Sequence, residues 1–135
     1  VSPKIIFATI PLESGSQRIL DLMRRPYLLE KVLPFMEMIK RGNPKMKINT
    51  HIIVGFPGET EEDFQETLRL FDRFYFNKVK VFEYSERLGT LAASMPGKVC
   101  EEEKERRRKI LSRKVLVESL KRFDLKAVVL NNVGF

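Results

Sequence analysis

The chain has 135 residues, with 25 Lys and Arg against 18 Asp and Glu for a net charge of +7, and it holds one Cys, one His and no Trp. At 43% hydrophobic and 32% charged residues it has the composition of one globular domain or a piece of a larger one, which excludes wholesale disorder, a collagen repeat and a disulfide scaffold. A single cysteine also excludes an intrachain disulfide and any zinc or iron-sulfur site built from several thiolates of this chain alone.

Lys4-Ile5-Ile6-Phe7-Ala8-Thr9-Ile10 is short, β-branched and bounded by Pro3 and Pro11, which predicts a buried strand. Pro11-Leu12-Glu13-Ser14-Gly15-Ser16 leaves it, and Ser16 is placed to cap a helix through Gln17 to Met23. Pro26 stops that helix, because the residue before a proline is pushed out of the α region. A second helix is expected from Leu29 to Arg41, with Val32, Phe35, Met36 and Ile39 on one face, Pro34 near its first turn and Gly42 as its cap.

Lys47 to Val54 predicts the next strand, leading into Gly55-Phe56-Pro57-Gly58-Glu59. Thr60 then opens a helix. Thr60 with Asp63 approximates a capping box, Glu61 and Glu62 suit the positive helix terminus, and Phe64, Leu68, Phe71 and Phe74 share one face. Lys78 to Tyr84 is a third strand, followed by a loop from Ser85 to Gly97. From Cys100 to Phe123 the pattern is one long helix, with Glu102 and Arg106, and Glu103 and Arg107, spaced for ion pairs of about 0.2–0.5 kcal/mol each. The tail, Ala127 to Leu130, is a fourth strand or a frayed end. Strand, helices, strand, helix, strand, helix implies parallel strands joined by helical crossovers.

Positive charge gathers at both ends: residues 1–50 carry nine basic and four acidic groups, and residues 101–135 carry ten and six. Such ends suit a polyanion, although a run such as Arg106 to Lys109 reads more simply as a solvated helical face. No apolar run approaches the roughly 18 residues needed to span a bilayer. Val1-Ser2-Pro3-Lys4 does not open a signal peptide, so a soluble cytoplasmic protein with no membrane partner is expected.

In a parallel α/β sheet, ligands gather at the carboxyl ends of strands, where all three candidate loops lie. Glu13-Ser14-Gly15-Ser16 offers a carboxylate, two hydroxyls and a glycine that permits close approach, but its spacing alone favours a serine-capped turn from strand to helix. Gly55-Phe56-Pro57-Gly58-Glu59 is either a turn with special backbone angles or a strand end left bare at Gly55 for a flat ligand. Tyr84 ends the third strand, where packing is the commoner role. His51 shares a face with Asn49 and Ile53 and reads as a hydrogen-bonded core residue. Cys100 stands beside Glu101, Glu102 and Glu103, which oppose activation of its thiol.

Together the loops resemble a known family. Thr9 to Ser16, with Ile19, Leu20, Met23, Arg25 and Tyr27, is similar to the fourth-strand segment of radical S-adenosylmethionine (SAM) enzymes, above all the methylthiotransferases. Ile52 to Phe64 resembles their fifth strand and loop, and Tyr84, Ser85, Arg87, Gly89, Thr90, Ala92, Ala93 and Met95 resemble the loop after their sixth. The motifs stand in order over about residues 5 to 110.

The resemblance implies an α/β fold, a partial TIM-type (β/α) barrel with parallel strands and outer helices. Residues 1–125 would be the carboxyl-terminal half of a radical SAM barrel, and 126–135 a tail or the start of a following domain. It implies S-adenosylmethionine and a [4Fe-4S] cluster as cofactors of the parent protein, which would act on tRNA or a ribosomal protein. The CxxxCxxC cluster loop has no counterpart in the chain, so no catalytic or metal-ligating residue is assigned and the chain alone is expected to be inactive. By resemblance, Glu13 and Ser14 would bind the ribose or methionine part, Arg25 would pair with the methionine carboxylate, Ile53 and Gly55 would lie against the adenine, and Tyr84 would meet its edge. The alternatives are a non-catalytic basic module that binds RNA or protein, and a radical SAM enzyme of another reaction, such as a cobalamin-associated methylase, because Glu13 replaces the methylthiotransferases' usual Gln. A half barrel leaves strand edges unpaired, so self-association through them is expected.

Overall fold

The computed structural model describes residues 6–86 and 92–122. Three parallel strands, β1 (Ile6–Thr9), β2 (Met46–Val54) and β3 (Lys78–Glu83), form one sheet in the order β1-β2-β3. Helices α1 (Gln17–Leu22) and α2 (Leu29–Gly42) connect the first pair of strands, α3 (Glu61–Arg73) connects the second, and α4 (Glu101–Arg122) follows β3. The expected order and parallel pairing are present. Lys4 and Ile5, the loop residues Arg87, Gly89 and Thr90, the tail strand at 127–130 and the boundary at 125 lie outside the described residues.

β2 shows how one sequence serves two faces. Ile48, Thr50, Ile52 and Val54 are fully buried, and they pack with Leu20, Leu33, Met36, Phe64, Phe71 and Leu111 from all four helices. Between them Lys47, Asn49, His51 and Ile53 are half-buried, on the face that carries no helix. His51 stands there edge-on to Phe82, with ring centroids 5.9 Å apart, so it belongs to the open face and not to the core. Phe7 and Phe82 on the flanking strands are exposed.

β1, expected to be buried, instead exposes Ile6, Phe7 and Thr9, and two helices also depart from expectation. The buried face of α2 is Leu29, Leu33 and Met36, an i, i+4, i+7 row, whereas Phe35 and Met38 are exposed. Because α2 begins at Leu29, Pro34 falls on its sixth residue, inside the helix, where its missing N–H leaves the Glu30 carbonyl without the usual partner four residues on. Gly42 is the last helical residue, and Asn43 is the cap, its N–H donating to Ile39 and Lys40 carbonyls. In α4 Arg107 pairs with Glu103 as expected, but Arg106 pairs with Glu103 and with Glu61 of α3 rather than with Glu102.

Candidate functional site

The segment after β1 does not simply run into a turn. The Ile10 N–H donates to Asn49 O at 2.9 Å, and the next such bond is Glu13 N–H to His51 O at 2.8 Å. Three residues therefore advance against two on β2, which is a bulge. Thr50 fills it: its Oγ1 donates to Ile10 O at 2.7 Å and accepts from Leu12 N–H at 3.1 Å, while Pro11 has no N–H to satisfy. Glu13 emerges at φ +71°, paired on both sides with β2 through His51 O and Ile53 N.

Beyond this bulge, at the carboxyl ends of the three strands, lies a cavity of about 940 Å³. Glu13, Arg25, Ile53 and Tyr84 all line it, together with Arg24, Phe56, Met95 and Pro96. Arg25 Nε forms an ion pair with Glu13 Oε2 at 2.6 Å, and this buried oxygen makes no hydrogen bond among the described residues. The buried Tyr84 hydroxyl likewise has none. Tyr84 packs edge-on to Phe56, with centroids 5.4 Å apart, and its N–H donates to Val54 O. Beside Glu13, burial first and the carboxylate second push the Tyr27 phenol up to about 12.

The two remaining expected residues lie elsewhere. Ser14 is fully buried: its Oγ is 3.4 Å from Thr67 Oγ1 of α3 and accepts from Ser16 N–H at 3.1 Å. Next to it, a Cβ on Gly15 would stand 2.5 Å from Thr67 Cα, so the close approach this glycine permits is to α3. Gly55 lines a second, polar cavity of about 310 Å³, which shares Glu83, Tyr84 and Ser85 with the first. Its φ is +79°, and the space its missing Cβ would take is filled by the stem of Lys104, with Cγ at 2.3 Å. Lys104, Glu59, Arg107 and Thr50, all buried against these loops, escaped sequence reasoning. The one signal was four polar residues in otherwise core-facing positions.

The Arg106 to Lys109 run is neutralised within the fold. Arg106 pairs with Glu61 and Glu103, Arg107 with Glu59 and Glu103, Arg108 with Glu83, and Lys109 with Glu105. Cations so engaged are a poor polyanion surface, which disfavours the basic-module reading.

Residues 4–71 match the Radical SAM superfamily. The chain belongs to this superfamily. It is 50% identical over 103 residues to the tRNA-2-methylthio-N(6)-dimethylallyladenosine synthase of Thermobifida fusca, a match covering 76% of this chain and 21% of that protein. The enzyme of the same name from Tropheryma whipplei is 44% identical over 129 residues, 93% of this chain and 27% of the relative. A third, from Akkermansia muciniphila, is 47% identical over 97 residues, 72% of this chain and 21% of the relative. The chain thus spans about a fifth to a quarter of the length of these curated relatives and is methylthiotransferase-like in sequence.

Membership makes the three parallel strands with their helices part of a TIM-type barrel, and it implies S-adenosylmethionine and a [4Fe-4S] cluster as cofactors of the parent protein. The chain's own residues do not fit the cluster, since Cys100 is its one cysteine and is exposed. Among the described residues no group of three or more His, Cys, Asp or Glu is placed to hold a metal ion, and no helix is long and apolar enough to cross a membrane.

Proposed function

We propose that the full-length protein is a radical SAM methylthiotransferase acting on tRNA in the cytoplasm, and that this part of it supplies the ribose and adenine side of the S-adenosylmethionine site. The observation that carries this reading is the cavity at the strand ends, lined by the Glu13–Arg25 ion pair and by a buried Tyr84 hydroxyl that has no hydrogen-bond partner among the described residues. Buried polar atoms are nearly always satisfied, so an unpartnered hydroxyl beside an ion-paired carboxylate on one cavity supports a ligand rich in donors and acceptors. An adenosyl group is flat on its faces and polar at its rim, and the lining matches both features.

When bound beside the cluster, S-adenosylmethionine supplies a 5′-deoxyadenosyl radical. The residues of this chain bind and orient it. Glu13 Oε2 accepts from the ribose hydroxyls. Arg25, joined to Glu13 through Nε, offers its guanidinium to the methionine carboxylate. Ile53 and Phe56 give the adenine an apolar bed, and the Tyr84 hydroxyl meets its edge. Ser14 acts from behind, holding the Glu13 loop to α3 through Thr67, and Gly55 acts by letting α4 close against the strand end. The similarity to tRNA-2-methylthio-N(6)-dimethylallyladenosine synthases supports tRNA as the substrate. We also propose that this chain, in isolation, associates with itself through its open sheet.

Anaerobic reconstitution of the full-length protein with iron and sulfide tests the reading. We expect release of 5′-deoxyadenosine on reduction and a methylthio group added to tRNA adenosine, with Glu13→Ala binding S-adenosylmethionine roughly tenfold more weakly. If no cluster forms and no 5′-deoxyadenosine is released, the enzymatic reading fails. A product gaining only a methyl group would keep the radical chemistry and reject methylthiolation.

A further inference from the structure

Two buried cations on α4 are aimed at the site without lining its main cavity. Lys104 and Arg107 are 7% and 5% exposed, one helical turn apart, so both face the strand ends. Lys104 lays its stem across Gly55 and its Nζ donates to Tyr84 O at 3.0 Å and to Glu101 Oε1 at 2.8 Å, 5.7 Å from the centre of the Tyr84 ring. Arg107 Nη1 donates to Glu59 O at 3.1 Å and to Glu59 Oε1 at 2.7 Å, and that same Oε1 accepts the Gly55 N–H at 2.9 Å. Ammonium and guanidinium groups are costly to bury unless their hydrogen bonds are satisfied, and α4 already reaches the core through the fully buried Leu111. Simple packing would need neither cation.

We infer that Lys104 and Arg107 are positioning residues for the cofactor: together they fix the Gly55 turn and the Tyr84 backbone, the two strand ends between which the adenine edge is read. The inference rests on the S-adenosylmethionine reading above. Gly55 is held on one side by its own amide through Glu59, whose carboxylate Arg107 orients, and is covered on the other by the Lys104 stem. Tyr84 is held at its carbonyl by the same lysine. The Tyr84 carbonyl and the Gly55 turn are therefore both anchored to α4, a helix that lies outside the residues matched to the superfamily.

Three variants of the full-length protein separate positioning from plain stability. Lys104→Met keeps the stem over Gly55 and removes the ammonium. Arg107→Met combined with Glu59→Gln removes the buried pair as a whole, so neither charge is left alone. Lys114→Met breaks pairs with Asp72 and Glu118 on the same helix, remote from the cavity. By equilibrium dialysis with S-adenosylmethionine, the first two should raise Kd about tenfold, equivalent to ~1.4 kcal/mol, and the Gly55 amide should exchange faster with deuterium. Lys114→Met should lower the melting temperature and leave Kd unchanged. If the wild type binds and the first two variants bind equally well, positioning is overturned while the proposed function stands. If the wild type itself does not bind S-adenosylmethionine, the proposed function falls first.

Discussion

A methyl group added at Gly55 would sit 2.3 Å from Lys104 Cγ, on a backbone at φ +79° that side chains rarely adopt. Gly55→Ala should therefore destabilise by roughly 2–3 kcal/mol in urea unfolding. Lys104→Ala should recover part of that loss; strict additivity of the two changes would refute the contact. Asp63 gathers a different set of partners. Its Oδ1 accepts from Ser16 Oγ at 2.8 Å, Oδ2 pairs with Arg18 Nη2 at 2.5 Å, and Oδ2 also accepts from the Thr60 N–H. Burial alone raises its pKa, but bonds from Arg18, Thr60 and Ser16 outweigh burial and hold it well below the ordinary 3.8. The folded state then binds fewer protons than the unfolded one, so this stability is present above pH ~4 and drains away as pH falls further. Asp63→Asn should cost roughly 1–3 kcal/mol at neutral pH and flatten the acid limb of the stability profile. An unchanged acid limb would show that Asp63 is not its source.

Among the elements, those with local chemistry were legible. The capping box at Thr60 and Asp63 forms as the spacing demands, and Ser16 caps α1 through the Ile19 N–H, whereas alternation in β2 does not tell which face is buried, since His51 reads as core and lies on the open face. The face of α2 was not legible, because Val32, Phe35 and Leu33 are equally apolar and only tertiary contact chooses among them. Nor could letters reveal that Ser14 turns inward, since motif spacing fixes a residue's place on a loop and not the direction of its side chain. The partners of Gly55 and Glu59 come from α4, more than forty residues away, beyond any local pattern. α4 is held by Leu111 in the core. Leu111→Ala should cost about 2–4 kcal/mol, whereas Leu116→Ala, 58% exposed on the same helix, should stay within about 0.5 kcal/mol. Equal losses in urea midpoints would contradict this docking of α4.

At the scale of the molecule, the described residues cover the sheet on one face and leave it open on the other, where Phe7 is 66% exposed and Phe82 49%. Among the described residues β1 and β3 each keep a free edge, and unpaired strands recruit other chains. In size-exclusion chromatography at micromolar concentration the 15.8 kDa chain should elute as a larger species, and Phe7→Lys should return it towards monomer. A clean monomer of the unsubstituted chain would argue against the open-sheet account. The parallel architecture and the place of the cavity were legible from element order, because ligand sites collect at strand carboxyl ends. The bulge that delivers Glu13 was not, since it depends on the Thr50 hydroxyl standing in for a backbone group.

The sheet order β1-β2-β3 repeats the order of the chain. Each new strand leaving the ribosome therefore finds its partner already waiting, and no strand is stranded until a distant one is made. Growth from β1 onward extends this part of the sheet one edge at a time, which makes the region suited to assembling during synthesis.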